Sequence, residues 1–119
     1  MDVCVTVPKG LWTAWIEEGQ LPGEPFDGAT YHFWIPQRPL PDILPGERVY
    51  IVAHGKLRGY APLERLEEHC KLATFRACLM RIHGAKAITI DEPIRGFQGW
   101  RYRFWERADE KPFPDWRTP

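Results

Sequence analysis

The stretch RGFQGWRYRFW, residues 95–105, constrains the fold of this chain more than any other segment. It contains two glycines, five aromatic residues and three arginines. Successive side chains of a β-strand point to opposite faces, so this stretch predicts a two-faced strand. One face carries Trp100, Tyr102 and Phe104. The other carries Arg101, Arg103 and Trp105. The first face suits a core or a stacking pocket, and the second suits an anion.

Alternating or β-branched segments predict the remaining strands. They cover residues 2–7, 30–35, 47–54, 57–61, 72–83 and 85–91. A short helix is predicted over residues 10–18, where apolar side chains recur at i,i+4 spacing and Gly19 follows as a stop. Residues 62–70 are compatible with either one helical turn or a continuing edge strand. The resulting order is β-α-β-β-β-β-β-β, mostly antiparallel.

This order predicts the α+β class, as a small mixed barrel with one or two short helices. A chain of 119 residues suits one domain, here 1–119. Turn residues predict a surface loop over 20–28, and four prolines within residues 36–45 predict an extended wrap on the surface. We expect the proline-rich tail, residues 107–119, to lie across the body through Phe113 and Trp116.

Charge and cysteine content exclude several classes of protein. Sixteen basic and sixteen acidic residues give a formal charge of zero, which argues against tight, non-specific adhesion to nucleic acid. Three cysteines without CxxC spacing make a disulfide framework unlikely to be the basis of the fold. No window is long and apolar enough for a membrane span, and the N-terminal residues lack the pattern of a signal peptide. We therefore expect a cytoplasmic protein.

The segment PGERVYIVAHGKLRGYAPL, residues 45–63, resembles the PUA-like superfamily, which includes the ASCH, EVE and YTH domains. In those families a Pro-Gly-Asp turn precedes a hydrophobic strand, and a glycine turn leads to a strand with a second glycine. The corresponding positions here are Pro45, Gly46, Glu47, Gly55 and Gly59, with Glu in place of the usual Asp. The resemblance covers about residues 3–105. It implies a β-barrel that binds RNA, or a modified base in an aromatic cleft.

The residues predict a ligand-binding site for a nucleobase, modified or unmodified, and its phosphate. Three tryptophans are assigned to stacking, a role that suits any planar ligand. They are Trp12, Trp34 and Trp100. Gln98 is assigned to hydrogen bonding with a base edge, and His54 is also predicted to be a ligand-binding residue. Lys9, Arg95 and Arg101 are assigned to phosphate, since lysine and arginine are its usual partners.

Two alternative functions remain open from the sequence. One is a small enzyme of the amidohydrolase or nuclease kind, acting on a modified nucleoside with Lys9 as base. The other is a protein–protein adaptor that uses the wrap at residues 36–45 and Trp116. His69, Cys70, Cys78 and His83 lack the paired spacing of zinc modules, so neither a metal nor a cofactor is predicted.

Overall fold

A curled six-stranded sheet dominates the computed structural model, which describes residues 1–18, 30–36, 38–68, 76–82 and 85–119. In chain order the strands are β1 (Val3–Thr6), β2 (Thr30–Pro36), β3 (Arg48–Ala53), β4 (Lys56–Glu67), β5 (Arg76–Ile82), β6 (Ile88–Thr89), β7 (Trp100–Tyr102) and β8 (Lys111–Pro112). The sheet has the order β2-β5-β4-β3-β1-β7, and β6 pairs with β8 separately. Helix α1 (Trp12–Glu18) follows a 3-10 turn at Lys9–Leu11, and a second such turn spans Arg107–Asp109.

The sheet curls into a half-barrel. Strands β1 and β3 are parallel, and the other pairings within the six-stranded sheet are antiparallel. The edge strands β2 and β7 approach each other at Gly99, where an added Cβ would lie 3.3 Å from Cδ of Pro36. Gly99 also has φ +76°, a conformation that glycine adopts without strain. The residue therefore permits the curl that brings the two edges together.

The protein is mostly β, which corrects the predicted α+β class. The helix expected at residues 10–18 is present, but α1 has only seven residues. The outer face of the sheet is covered instead by mainly extended chain that contributes Ile88, Ile90, Ile94 and Trp105. No helix in the described ranges is long and apolar enough to cross a membrane.

Both faces of the central strands are buried. The inner face of the half-barrel holds a cluster that includes Val3, Val5, Ile35, Val49, Leu63 and Leu79. The outer face is covered by a second cluster that includes Cys4, Tyr50, Val52, Ile90, Ile94 and Trp105. Burial on both faces explains why the sequence of β3 is a nearly continuous run of apolar residues.

The predicted strands at residues 2–7, 30–35 and 47–54 are confirmed within two residues at each end. The strand predicted at 57–61 continues to Glu67, so residues 62–67 extend it. Within the described residues, that extension pairs with β5 from Leu63 to Glu67, whereas β3 pairs with the preceding part of β4. Three of the predicted segments lie wholly or partly outside the described residues. They are the loop at 20–28, the last two residues of the segment 62–70, and parts of the strand at 72–83.

The two C-terminal strands are shorter than predicted. Residues 85–91 form only β6 and an isolated bridge from Lys86 to Tyr60, and residues 95–105 form only β7. The expectation that Phe104 faces the core is wrong, because its side chain is 55% exposed. Val3 pairs with Tyr102, so Phe104 extends past the start of β1 and has no strand to cover it.

The predicted course of the tail is confirmed. Trp116 is 2% exposed, and its ring meets the edge of Trp15 at a centroid distance of 4.7 Å. Phe113 packs beside the same cluster. The tail thus completes a third part of the core, over α1 and the end of β3.

The buried carboxylate of Asp2 joins three segments at the start of β1. One oxygen accepts a hydrogen bond of 2.9 Å from the backbone N–H of Arg48. The other accepts bonds from the guanidinium groups of Arg107, at 2.7 Å, and Arg103, at 3.3 Å. Burial acts to raise the pKa of Asp2, but these donors outweigh it and hold the pKa below 3.8, the ordinary value.

We expect Asp2→Asn to lower the free energy of unfolding at pH 7 by about 1–3 kcal/mol, the usual contribution of hydrogen bonds to a charged group. A carboxyl with a lowered folded-state pKa stabilises above its unfolded pKa, and this stabilisation disappears as the pH falls through the folded value. The difference between wild type and variant should therefore shrink below about pH 4. Urea unfolding at several pH values measures it, and a difference that stays constant down to about pH 2 would contradict the assigned role.

Candidate functional site

The end of the sheet at which β1 finishes brings together three segments that are distant in sequence. The backbone N–H of Ile94 donates to the carbonyl of Gly55 in the β3–β4 turn, at 2.9 Å. The N–H of Phe97 donates to Oγ1 of Thr6 at 3.2 Å. The 3-10 turn that begins at Lys9 follows β1 directly. Residues 94–99, the hairpin turn and the start of the helical segment therefore border one end of the sheet.

Five basic residues lie at this end, and we refer to them as the cationic end. They are Lys9, Lys56, Arg58, Arg95 and Arg101. In the ranges that the structure describes, none of the five forms an ion pair with a carboxylate. The opposite end of β1 differs, because its arginines pair with Asp2 or Glu110. Within the described ranges, positive charge without a carboxylate partner thus collects at one end of a protein whose formal net charge is zero.

Arg58 is the buried member of the cationic end, with 2% of its surface exposed. Ile51 pairs with Gly59 and Val52 pairs with Leu57, which leaves Arg58 as the extra residue of a β-bulge. Its Nε donates to the carbonyl of Ala53 at 2.7 Å. Its Nη1 donates to the carbonyls of Trp116 and Thr118 in the tail. Burial lowers the pKa of this guanidinium, and the described neighbours supply carbonyl dipoles without a carboxylate.

Trp12 and His54 meet beside Arg58. The two rings stand edge to face with centroids 4.6 Å apart, and the Arg58 guanidinium lies 4.7 Å from the Trp12 ring. His54 is exposed and has φ +49°, a left-handed conformation that costs a non-glycine residue roughly 1–2 kcal/mol. Strain of this kind often marks a functional position. Two of the predicted site residues are therefore adjacent, although Trp12 itself is buried.

Arg95, Gln98 and Arg101 are exposed around Phe97. The guanidinium of Arg101 lies 4.5 Å from the centroid of the Phe97 ring, which holds it at the surface in a defined position. Trp100 is half-buried against the inner cluster, and its Nε1 donates to the carbonyl of Pro39 at 3.0 Å. The chain around the start of β7 thus presents a cation–aromatic pair and the exposed amide of Gln98.

The three tryptophans assigned to stacking do not share a cleft. Trp12 is buried, with 7% of its surface exposed. Trp100 lies on the inner face of the half-barrel with Ile35. Trp34 is next to Ile35 in β2 and so points to the opposite face, where its ring meets His32. Any stacking at the cationic end falls instead to the exposed His54 and to Phe97.

Sequence reasoning missed Lys56 and Arg58. The sequence predicts a turn at Gly55 and Lys56 and a hairpin strand over residues 57–61, in which alternation makes a polar residue such as Arg58 ordinary. Arg58 is distinguished from its neighbours by its position in a β-bulge. The bulge depends on the pairing of β4 with β3, which the local sequence does not specify.

The structure bears differently on the catalytic, adaptor and metal-site hypotheses. Lys9 is exposed, and its role as a catalytic base stays a prediction. The adaptor hypothesis loses Trp116 as a contact, because that ring is buried. Within the described ranges, no group of three or more His, Cys, Asp or Glu residues is arranged to hold a metal ion. His69, Cys70 and His83 lie outside those ranges.

Comparison with known proteins gives one match. A family model described as "Protein of unknown function (DUF1489)" matches residues 10–117. No curated protein and no solved structure matches the chain.

Proposed function

We propose that this protein, which belongs to the DUF1489 family of proteins of unknown function, is a binding module. It binds the phosphate and base of a nucleotide or nucleic acid at the cationic end. The observation that carries this proposal is the set of basic side chains at that end without carboxylate partners. Phosphate contacts by lysine and arginine supply much of the affinity of nucleic-acid-binding proteins.

Each exposed residue of the site has a role in the proposal. Lys9, Arg95 and Arg101 contact phosphate, and the rigid fork of Arg101 is held in place by Phe97. Gln98 reads a base edge with its amide, which both donates and accepts. His54 provides an exposed ring against which a base stacks. Few phosphate contacts on a neutral protein imply selective binding of modest affinity.

The relation to the PUA-like superfamily is part of the same proposal. The element order and the curled sheet are compatible with it. The turn at Gly46, with φ +88°, and the close approach at Gly59 occur where the resemblance expects special glycines. An aromatic cleft of three tryptophans is not part of the proposal, because those rings lie on different surfaces.

Titration of the whole chain with a single-stranded oligonucleotide at low salt tests the function. Replacing Arg95 and Arg101 together by glutamine is expected to weaken binding by at least about 100-fold, since each charged hydrogen bond contributes about 1.5–3 kcal/mol. The slope of log K against log salt should fall by about 1.4 for two lost phosphate contacts. Methylated and unmodified strands, compared in parallel, show whether the base is read.

Arg65→Gln is the matched control. Arg65 is also an exposed arginine, but Glu64 and Glu67 pair with it, and it lies far along β4 from the hairpin turn. This variant should bind like the wild type. Absence of binding by the wild type at low salt, or an equal loss in the control, would reject the proposal.

A further inference from the structure

A second surface, separate from the cationic end, has the features of a small-molecule site. An open groove of about 270 Å³ lies between β4 and the segment that leads into β8. Its apolar lining is Ala87, Ile88 and Pro112. Its cations are Arg48, Lys86, Arg107 and Lys111. The function proposed above uses none of these residues.

Arg48 is held rigidly at the edge of the groove. Its guanidinium lies over the Tyr60 ring, 4.0 Å from the centroid. Its Nη1 donates to the hydroxyl of Tyr50 at 2.9 Å and to Glu110 at 3.0 Å. Within the described part of the chain, no hydrogen bond engages Nη2 of this residue. A planar donor group is therefore fixed in position with N–H groups to spare.

Glu110 is the one carboxylate among the groove's lining residues, and it is committed to the protein. Its side chain is 8% exposed. One oxygen accepts from the Tyr50 hydroxyl at 2.6 Å and from Nε1 of Trp105 at 3.0 Å, and the other accepts from Arg48. Removal of water raises the pKa of the Tyr50 hydroxyl, and its bond to Glu110 raises it further, so that this hydroxyl remains a donor. The charge of this carboxylate is offset by that of Arg48, with which it forms an ion pair.

The charges around the groove do not balance. Four of the lining residues are cations, and Glu110 is the one carboxylate among them. Arg48 pairs with Glu110, Arg107 with Asp2 and Lys111 with Asp91. Lys86 has no ion pair in the described ranges. The pair between Lys111 and Asp91 is at the surface, where such pairs contribute little and open easily.

We propose that this groove binds a phosphate monoester. The dianionic head contacts Lys86, Arg107 and Lys111, and the organic group lies on Ile88 and Pro112. Charged residues outnumber apolar ones in the lining, which suits a ligand whose anionic head makes most of the contacts. Arginine forks and lysine ammonium groups are the usual partners of phosphate.

Calorimetric titration with phenyl phosphate and with inorganic phosphate tests the proposal at about pH 8, where the monoester is a dianion. We expect saturable binding of phenyl phosphate, tighter than that of inorganic phosphate. The variant Lys86→Gln/Lys111→Gln should weaken it by at least about tenfold, since each lost charged contact costs about 1.5 kcal/mol or more. Both side chains are exposed, so folding should be unaffected, and thermal unfolding checks this.

Arg65→Gln is the control, since Arg65 is exposed, pairs with Glu64 and Glu67 and belongs to neither proposed site, so it should not alter the affinity for phenyl phosphate. The proposal is overturned by the absence of saturation, by equal affinity for inorganic phosphate, or by wild-type affinity in the double variant. A 5′-phosphorylated tetranucleotide separates two sources of the same chemistry. If the tetranucleotide binds more tightly than phenyl phosphate, the ligand of the groove is the phosphorylated end of a nucleic acid. If it binds more weakly, the ligand is a free small molecule. Either result is consistent with a site for a phosphate monoester.

Discussion

Replacing Trp116 by alanine is expected to lower the free energy of unfolding by about 3–5 kcal/mol, the range for removing a buried aromatic side chain. The ring is 2% exposed and meets Trp15 edge to face. Truncation leaves a cavity between the tail and α1, and the surrounding chain fills it only in part. The carbonyl of Trp116 is also a partner of the buried Arg58, so displacement of the tail removes a hydrogen bond from that charge.

Phe104→Ala is the control for this prediction. Phe104 is a large aromatic residue near the same end of the sequence, but it is 55% exposed. Its replacement should change stability by no more than about 0.5 kcal/mol. Urea unfolding followed by far-UV circular dichroism avoids the change in tryptophan fluorescence. A cost below about 1 kcal/mol for Trp116→Ala would show that the tail does not contribute to the core.

Replacing Gly59 by alanine is expected to destabilise the protein by about 2–3 kcal/mol, near the upper part of the range for overpacking. An added Cβ would lie 2.7 Å from the backbone oxygen of Lys86. That oxygen accepts the N–H of Tyr60 at 3.1 Å, so moving it disturbs the bridge between β4 and the following segment. The contact is with backbone, and a side-chain rotation cannot relieve it.

Gly10→Ala provides the matched comparison. An added Cβ at Gly10 meets nothing within 4 Å, and the residue does not have a positive φ. Thermal unfolding should show a clear loss for Gly59→Ala and almost none for Gly10→Ala. Equal effects at the two positions would mean that the approach of Lys86 to β4 does not limit the size of residue 59.

The local sequence predicts the central strands well because their physical signal is local. In β1, Val3 and Val5 point to the inner cluster while Cys4 points to the outer one, and β3 is buried along nearly its whole length. Burial on both faces leaves a strong hydrophobic pattern that needs no knowledge of the neighbours.

The C-terminal third is less predictable because its structure depends on distant partners. The segment of β7 contains enough aromatic residues for a long strand, but β1 begins at Val3 and offers nothing to cover Phe104. Prediction of the candidate site from the sequence is limited for the same reason. Its exposed arginines were identifiable by type, whereas the burial of Trp12 and Arg58 depends on the tail and on a bulge opposite β3.

The pairing of β1 with β7 has a consequence for how the chain folds. Val5 pairs with Trp100, and Trp15 meets Trp116, so both ends of the sequence must come together before the sheet and its cover are complete. Closing loops of such length costs chain entropy before the contacts form. We therefore expect folding on the millisecond-to-second scale that is typical of β proteins with non-local pairings. Until the segment that contains Trp116 is in place, α1 lacks the ring that packs on Trp15.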